Sequence, residues 1–92
     1  MSRRPTLPEP VIVDRFFKNR RRQDVIVTTL STYQDKNIID VRQYFTNEKG
    51  QLRPTSKGVA IGIGRLVDLH AALTRAMKKA IELRLIDDEA GE

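Results

Sequence analysis

Lys36–Gly58 reads KNIIDVRQYFTNEKGQLRPTSKG, and taking it as two strands joined by a turn decides the fold. Ile38–Thr46 is rich in β-branched and aromatic residues, which fit a pleated, half-buried surface. Asn47-Glu48-Lys49-Gly50 supplies the turn, because Gly50 takes positive φ without steric cost. The following strand begins near Gln51 and runs through Val59 to about Ile63. Cations and rings recur along the stretch: Lys36, Arg42, Tyr44, Phe45, Arg53 and Lys57. Cations grip phosphates and rings stack on bases, so the mixture suits a nucleic-acid-binding surface.

Strict alternation sorts the first of these strands into two faces. Ile39, Val41, Gln43 and Phe45 share one, expected to point to the core. Ile38, Asp40, Arg42 and Tyr44 share the other, expected to be open to solvent or ligand. Pro54 belongs at a strand start, an edge or a bulge, and Gly58 lets another backbone approach closely.

Upstream, Asp24–Tyr33 (DVIVTTLSTY) is a β-branched strand that turns back through Gln34–Asn37, making an antiparallel hairpin. Neither of its faces is clearly polar, so both are expected to be partly covered. Val11–Lys18 is a shorter strand. Between the two, Arg20, Arg21 and Arg22 splay from a turn, where phosphate contact and plain solvation are both open. Residues 1–10 carry three prolines and read as a flexible N-terminal arm, leaving 11–86 as the folded domain.

Downstream, Leu66, Leu69, Leu73, Ala76, Ala80 and Leu83 step by three and four, which predicts a helix from about Arg65 to Leu85. The stripe is wide enough to cover the small residues Ala60, Gly62 and Gly64 and also to meet a second helix. Residues 87–92, DDEAGE, form an acidic tail.

Composition narrows the function. Ninety-two residues make one small domain, whose core is marginal by itself, and dimerisation is the natural remedy. No cysteine is present and His70 is the only histidine, so no disulfide, metal cluster or cofactor is implied. No apolar run approaches the ~18 residues needed to span a bilayer, and no apolar segment follows Arg3 and Arg4 as in a secretion signal. A cytoplasmic protein, nucleoid-associated or free, is expected. Residues 1–58 hold 12 Lys/Arg against 6 Asp/Glu, a net +6, whereas residues 59–92 hold 5 against 6, a net −1. The strand-rich part is therefore the basic part, and a polyanion is expected on the strands. Catalysis finds no support: Asp40 lacks a second acid or histidine to work with, and KGVAIGIGR lacks the order of a phosphate-binding loop. No catalytic residue is assigned.

The ordered set Ile39-Asp40-Val41-Arg42-Gln43-Tyr44-Phe45, Gly50 and Pro54-Thr55-Ser56-Lys57-Gly58-Val59 resembles the C-terminal domain of the transcriptional coactivator positive cofactor 4 family. Its pattern is I-D-(I/V)-R-x-(Y/F)-aromatic, a glycine turn, P-x-x-K-G-(I/V) and a helix. The likeness spans about Val11–Leu85 and is tightest over Tyr33–Ile61. It implies an α+β fold: a curved four-stranded antiparallel sheet followed by one C-terminal helix, β-β-β-β-α, paired as a homodimer. It implies binding of single-stranded or melted DNA with little sequence preference, and a part in transcription as coactivator or regulator. Tyr33 and Phe45 stand where relatives stack rings on bases. Lys36, Arg42 and Lys57 stand at the family's basic positions. Phe45 replaces a tryptophan, Gln34 a frequent basic residue and Ser56 a basic neighbour of the lysine, for which Arg20–Arg22 would compensate. The resemblance makes Phe45 a stacking residue, while alternation makes it a core residue; stacking is the expectation carried forward. Phosphates are expected at Lys36, Arg42, Arg53, Lys57 and Arg20–Arg22, and bases at Tyr33 and Phe45, with Tyr44 beside Arg42. The alternatives are a module that docks on an acidic protein of the transcription machinery, and an RNA-binding sheet.

Overall fold

Four strands and one helix follow one another in the computed structural model, which describes residues 4–87: β1 (Val11–Phe17), β2 (Asp24–Tyr33), β3 (Lys36–Thr46), β4 (Leu52–Gly62) and α1 (Leu66–Glu82). A single 3₁₀ turn, Ile63–Arg65, leads into α1. The strands form one antiparallel sheet in the order β1-β2-β3-β4. The expected α+β architecture is therefore present, and β2 has the limits its β-branched run suggests.

The β2–β3 hairpin is tighter than the sequence implies. Only Gln34 and Asp35 form the loop, with φ of 51° and 66°. Lys36 and Asn37 already pair with Tyr33 and Thr32. Positive φ at both loop positions is what lets a two-residue turn match the strand twist. β1 carries a bulge: Ile12 faces Thr29 and Asp14 faces Thr28, so Val13 has no partner. β3 and β4 are also out of step between Arg42 and Tyr44, where Gln43 lies opposite Thr55–Lys57.

Residues directly opposite in antiparallel strands share a face. The front face carries Val25, Val27, Thr29 and Tyr33 of β2 with Lys36, Asp40, Arg42 and Tyr44 of β3. The back face carries Ile26, Thr28 and Leu30 with Ile39, Val41 and Phe45. Val25, Val27 and Thr29 are buried in front and Ile39 behind, so both faces are partly covered, as the mixed composition of β2 predicts. Val27 is 1% exposed, with Arg15 and Arg42 as its register partners on either side.

The described part of the N-terminal arm props the hairpin from behind. Leu7 N–H donates to Thr32 Oγ1 at 2.8 Å, and Asn37 Nδ2 donates to the Pro5 carbonyl at 2.8 Å. Thr32 and Asn37 are themselves bonded at 2.6 Å. Residues 1–3 and the acidic tail beyond Asp87 lie outside the described residues.

The helix departs from expectation. It does not cover Ala60, Gly62 and Gly64; none of its residues is buried, and the 3₁₀ turn before it is what meets β3. The result is a slab of 46 × 41 × 19 Å with the helix standing off it. The helix also stops short of Leu85. Arg84 takes φ 62°, its N–H donates to the Ile81 carbonyl, and Leu85 N–H donates to Ala80. This is the Schellman arrangement, with an arginine where glycine is usual.

Candidate nucleic-acid interface

Tyr33 ends β2 on the front face and is 65% exposed. Lys36 is its cross-strand partner and is also exposed. Two pleats along β3, on the same face, are Asp40 and Arg42, and Tyr44 follows. A ring and a lysine thus stand at the hairpin tip, with a tyrosine farther down the same strand. The arm grips the back of this tip and leaves the front open.

Arg42 is held rather than free. Its Nη2 lies 2.9 Å from Asp40 Oδ1 and its Nε 3.1 Å from Oδ2, while Nη1 donates to the Thr55 carbonyl at 3.1 Å. The pair is only about one-fifth exposed, 22% and 18% for the two side chains. The Asp40 hydrogen bond raises the Arg42 pKa above its ordinary value. Asp40 is therefore an ion-pair partner, and Arg42 acts as a clamp between β3 and the bulged part of β4. Thr55 completes the clamp: its hydroxyl donates to the Gln43 carbonyl at 2.7 Å and accepts from Lys57 N–H at 3.1 Å. Gly58 is dictated by the same contact, since a Cβ there would lie 2.7 Å from Arg42 Cα and from the Val41 carbonyl oxygen. The clamp leaves the Lys57 side chain exposed.

The remaining residues singled out in sequence do not all join this face. Phe45 pairs with Asp24 and Arg53, which places Phe45 and Arg53 on the back. Phe45 is 40% exposed, so it is not a core residue either. Arg53 Nη2 reaches Gln51 Oε1 at 3.2 Å. Arg20, Arg21 and Arg22 are exposed in the β1–β2 loop, and the Arg22 guanidinium sits 5.5 Å from the centre of the Phe17 ring. Register adds two front-face residues that the sequence did not single out: Arg15, opposite Val27, and Phe17, opposite Val25. Alternation along β1 would have found them only if the bulge at Val13 were known.

Among the described residues no three metal-ligating side chains come together, and no helix is long and apolar enough to cross a membrane. His70 is exposed on α1.

Comparison with known proteins gives a consistent picture. Residues 17–72 match the family model described as Transcriptional Coactivator p15 (PC4). Among solved structures, a PC4 homolog from Burkholderia pseudomallei K96243 superposes with a TM-score of 0.67 at 19% identity, over 79% of this chain and 96% of that one. The bacteriophage T5 homolog of the eukaryotic transcription coactivator PC4, described as implicated in recombination-dependent DNA replication, gives 0.54 at 11% identity, over 77% and 78%. No curated protein matches in sequence. At such identities the two structures establish the shared fold.

Proposed function

Because the chain belongs to the Transcriptional Coactivator p15 (PC4) family, we propose that it is a non-catalytic DNA-binding protein that holds single-stranded or melted DNA along the front of the sheet. The observation that carries this reading is the open tip, where Tyr33 and Lys36 face the same way as Tyr44 with the arm behind them. Tyr33 stacks on a base. Lys36, Lys57 and the Arg20–Arg22 loop meet phosphates, and the Asp40–Arg42 pair keeps β3 and β4 in place under the strand. Phe45 and Arg53 serve a strand that wraps over the edge of the sheet. Rings and cations discriminate poorly among bases, so little sequence preference is expected. The phage relative's link to replication and the family's link to transcription both point to melted DNA as the setting.

A homodimer belongs to the same reading. Val67, Leu73, Met77 and Leu83 are 47–76% exposed on α1, and a second copy is the partner that family membership suggests. Light scattering should give twice 10.6 kDa.

The test is fluorescence anisotropy with a labelled oligonucleotide of about 20 nucleotides, first single and then annealed, at several salt concentrations. Tighter binding of the single strand, falling with salt at a log–log slope of about −0.7 per phosphate contacted, supports the proposal. Equal affinity for single strand and duplex would count against it and favour docking on an acidic protein. An RNA oligomer of the same sequence separates the two nucleic acids.

A further inference from the structure

The end of the front face farthest from Tyr33 contains a hollow of about 410 Å³, within the range of small-ligand pockets. Arg15, Phe16, Phe17, Val25, Thr46 and Leu52 line it, so all four strands contribute. Register explains how they meet. Phe17 pairs with Val25, Val25 with Tyr44, and Thr46 with Leu52 at the last rung before the β3–β4 turn. The walls are largely hydrocarbon, but the surroundings are cationic. Arg15 is part of the lining, and the Arg22 guanidinium is held 5.5 Å from the centre of the Phe17 ring. Among the described residues neither arginine makes an ion pair.

We propose that this hollow is a second base-binding subsite, taking one unstacked nucleobase of the DNA strand while Arg15 and Arg22 hold the adjoining phosphates. The proposal rests on the single-strand reading above and extends it to a residue set outside the family motif. Two features select a nucleotide over other occupants. An apolar wall with a phenyl ring suits a flat aromatic group, and unpaired arginines beside it call for an anion; a base with its phosphate satisfies both. Position makes the same selection. Val25 and Tyr33 lie on one face of one strand, eight residues apart, about 27 Å at ~3.4 Å per residue. A DNA strand laid along β2 from the Tyr33 tip therefore runs into the hollow.

The experiment uses the full chain and a 20-mer of deoxythymidine, with Phe17→Ala, Leu52→Asp and Arg15→Gln beside Tyr33→Ala as reference. Removal of one stacked base corresponds to a loss of about 5- to 150-fold, expected for Phe17→Ala and for Leu52→Asp, which puts a carboxylate in the hollow. Arg15→Gln changes an exposed position and tests the proposal even if the other two fail to fold; it should flatten the salt slope by about 0.7. Ultraviolet crosslinking to a 5-iododeoxyuridine 20-mer should mark the peptide containing Phe17, and Leu52→Asp should abolish the mark. If Tyr33→Ala weakens binding while all three hollow variants bind like wild type and no crosslink reaches Phe17, the subsite is overturned and the front-face reading survives. Failure of the wild type to prefer a single strand removes both. If Leu52→Asp halves the mass in light scattering, the hollow belongs to a contact between copies and the subsite is likewise overturned.

Discussion

The β2–β3 hairpin and helix α1 are both rich in apolar residues, yet they meet opposite fates within one chain. Among the described residues, every buried hydrophobic side chain, Val25, Val27 and Ile39, lies in the hairpin, whereas α1 buries none. The hairpin is flanked on both sides by strands and props its tip with the arm. The helix leaves the sheet through a 3₁₀ turn and carries its apolar stripe into solvent. The contrast teaches that amphipathic periodicity announces a face that needs cover without saying which chain supplies it. Within the hairpin, the cover comes with strands paired on either side, so a thin slab still has a buried centre.

Substitutions can break this comparison at either end. The largest effect is expected for Gly58→Val, which forces a side chain into the backbone of Arg42 and Val41; a loss of about 3 kcal/mol or more should show in urea unfolding. Gly62→Ala, at the same strand's open end with nothing within 4 Å, is the matched control and should stay within about 0.5 kcal/mol. Val27→Ala comes next, at about 2 kcal/mol, from lost burial and the cavity left behind. Asp40→Asn should cost about 1 kcal/mol, because the pair is partly screened by solvent yet orders three groups across the bulge. Smallest of all is Leu73→Glu on the helix. Unfolding of the separated chain should change by less than about 0.5 kcal/mol, while the concentration dependence of Tm disappears if a second copy covers the stripe. A large loss of stability at high dilution for Leu73→Glu would show the helix to be packed within its own chain, and the contrast would collapse.

Much of the sheet could be read from the residues. Val25–Thr29 and Ile38–Phe45 announce strands by composition, and Gly50 takes φ 79° in the turn assigned to it. What escaped depends on conformations that the residue types do not advertise. Gln34, Asp35 and Arg84 all adopt positive φ without being glycine, so the residue types overstate the length of both the hairpin loop and the helix. The front-face grouping of Arg42 with Tyr44 follows from alternation and holds. Alternation also puts Phe45 on the face opposite Arg42 and Tyr44, where the structure has it. The placement of Arg53 behind, and of Arg15 and Phe17 in front, depends on cross-strand register and two bulges. Pro54 and Gly58 hinted at the second bulge. Nothing in VIVDRFF betrays the first, because valine between isoleucine and aspartate looks like any strand residue.

That unadvertised bulge has a consequence for how the protein behaves in a crowded solution. β1 is an edge strand with all seven residues exposed, among them Val11, Ile12, Val13, Phe16 and Phe17. An unbroken edge of that composition would template the addition of further chains, as in fibril growth. With Val13 out of register, the regular ladder beyond the bulge shortens to Asp14–Phe17, and two of those four residues are charged. This run is shorter than the six or seven residues that a steric zipper needs. The irregularity thus shortens the regular apolar edge that another chain could extend, as a gatekeeper would.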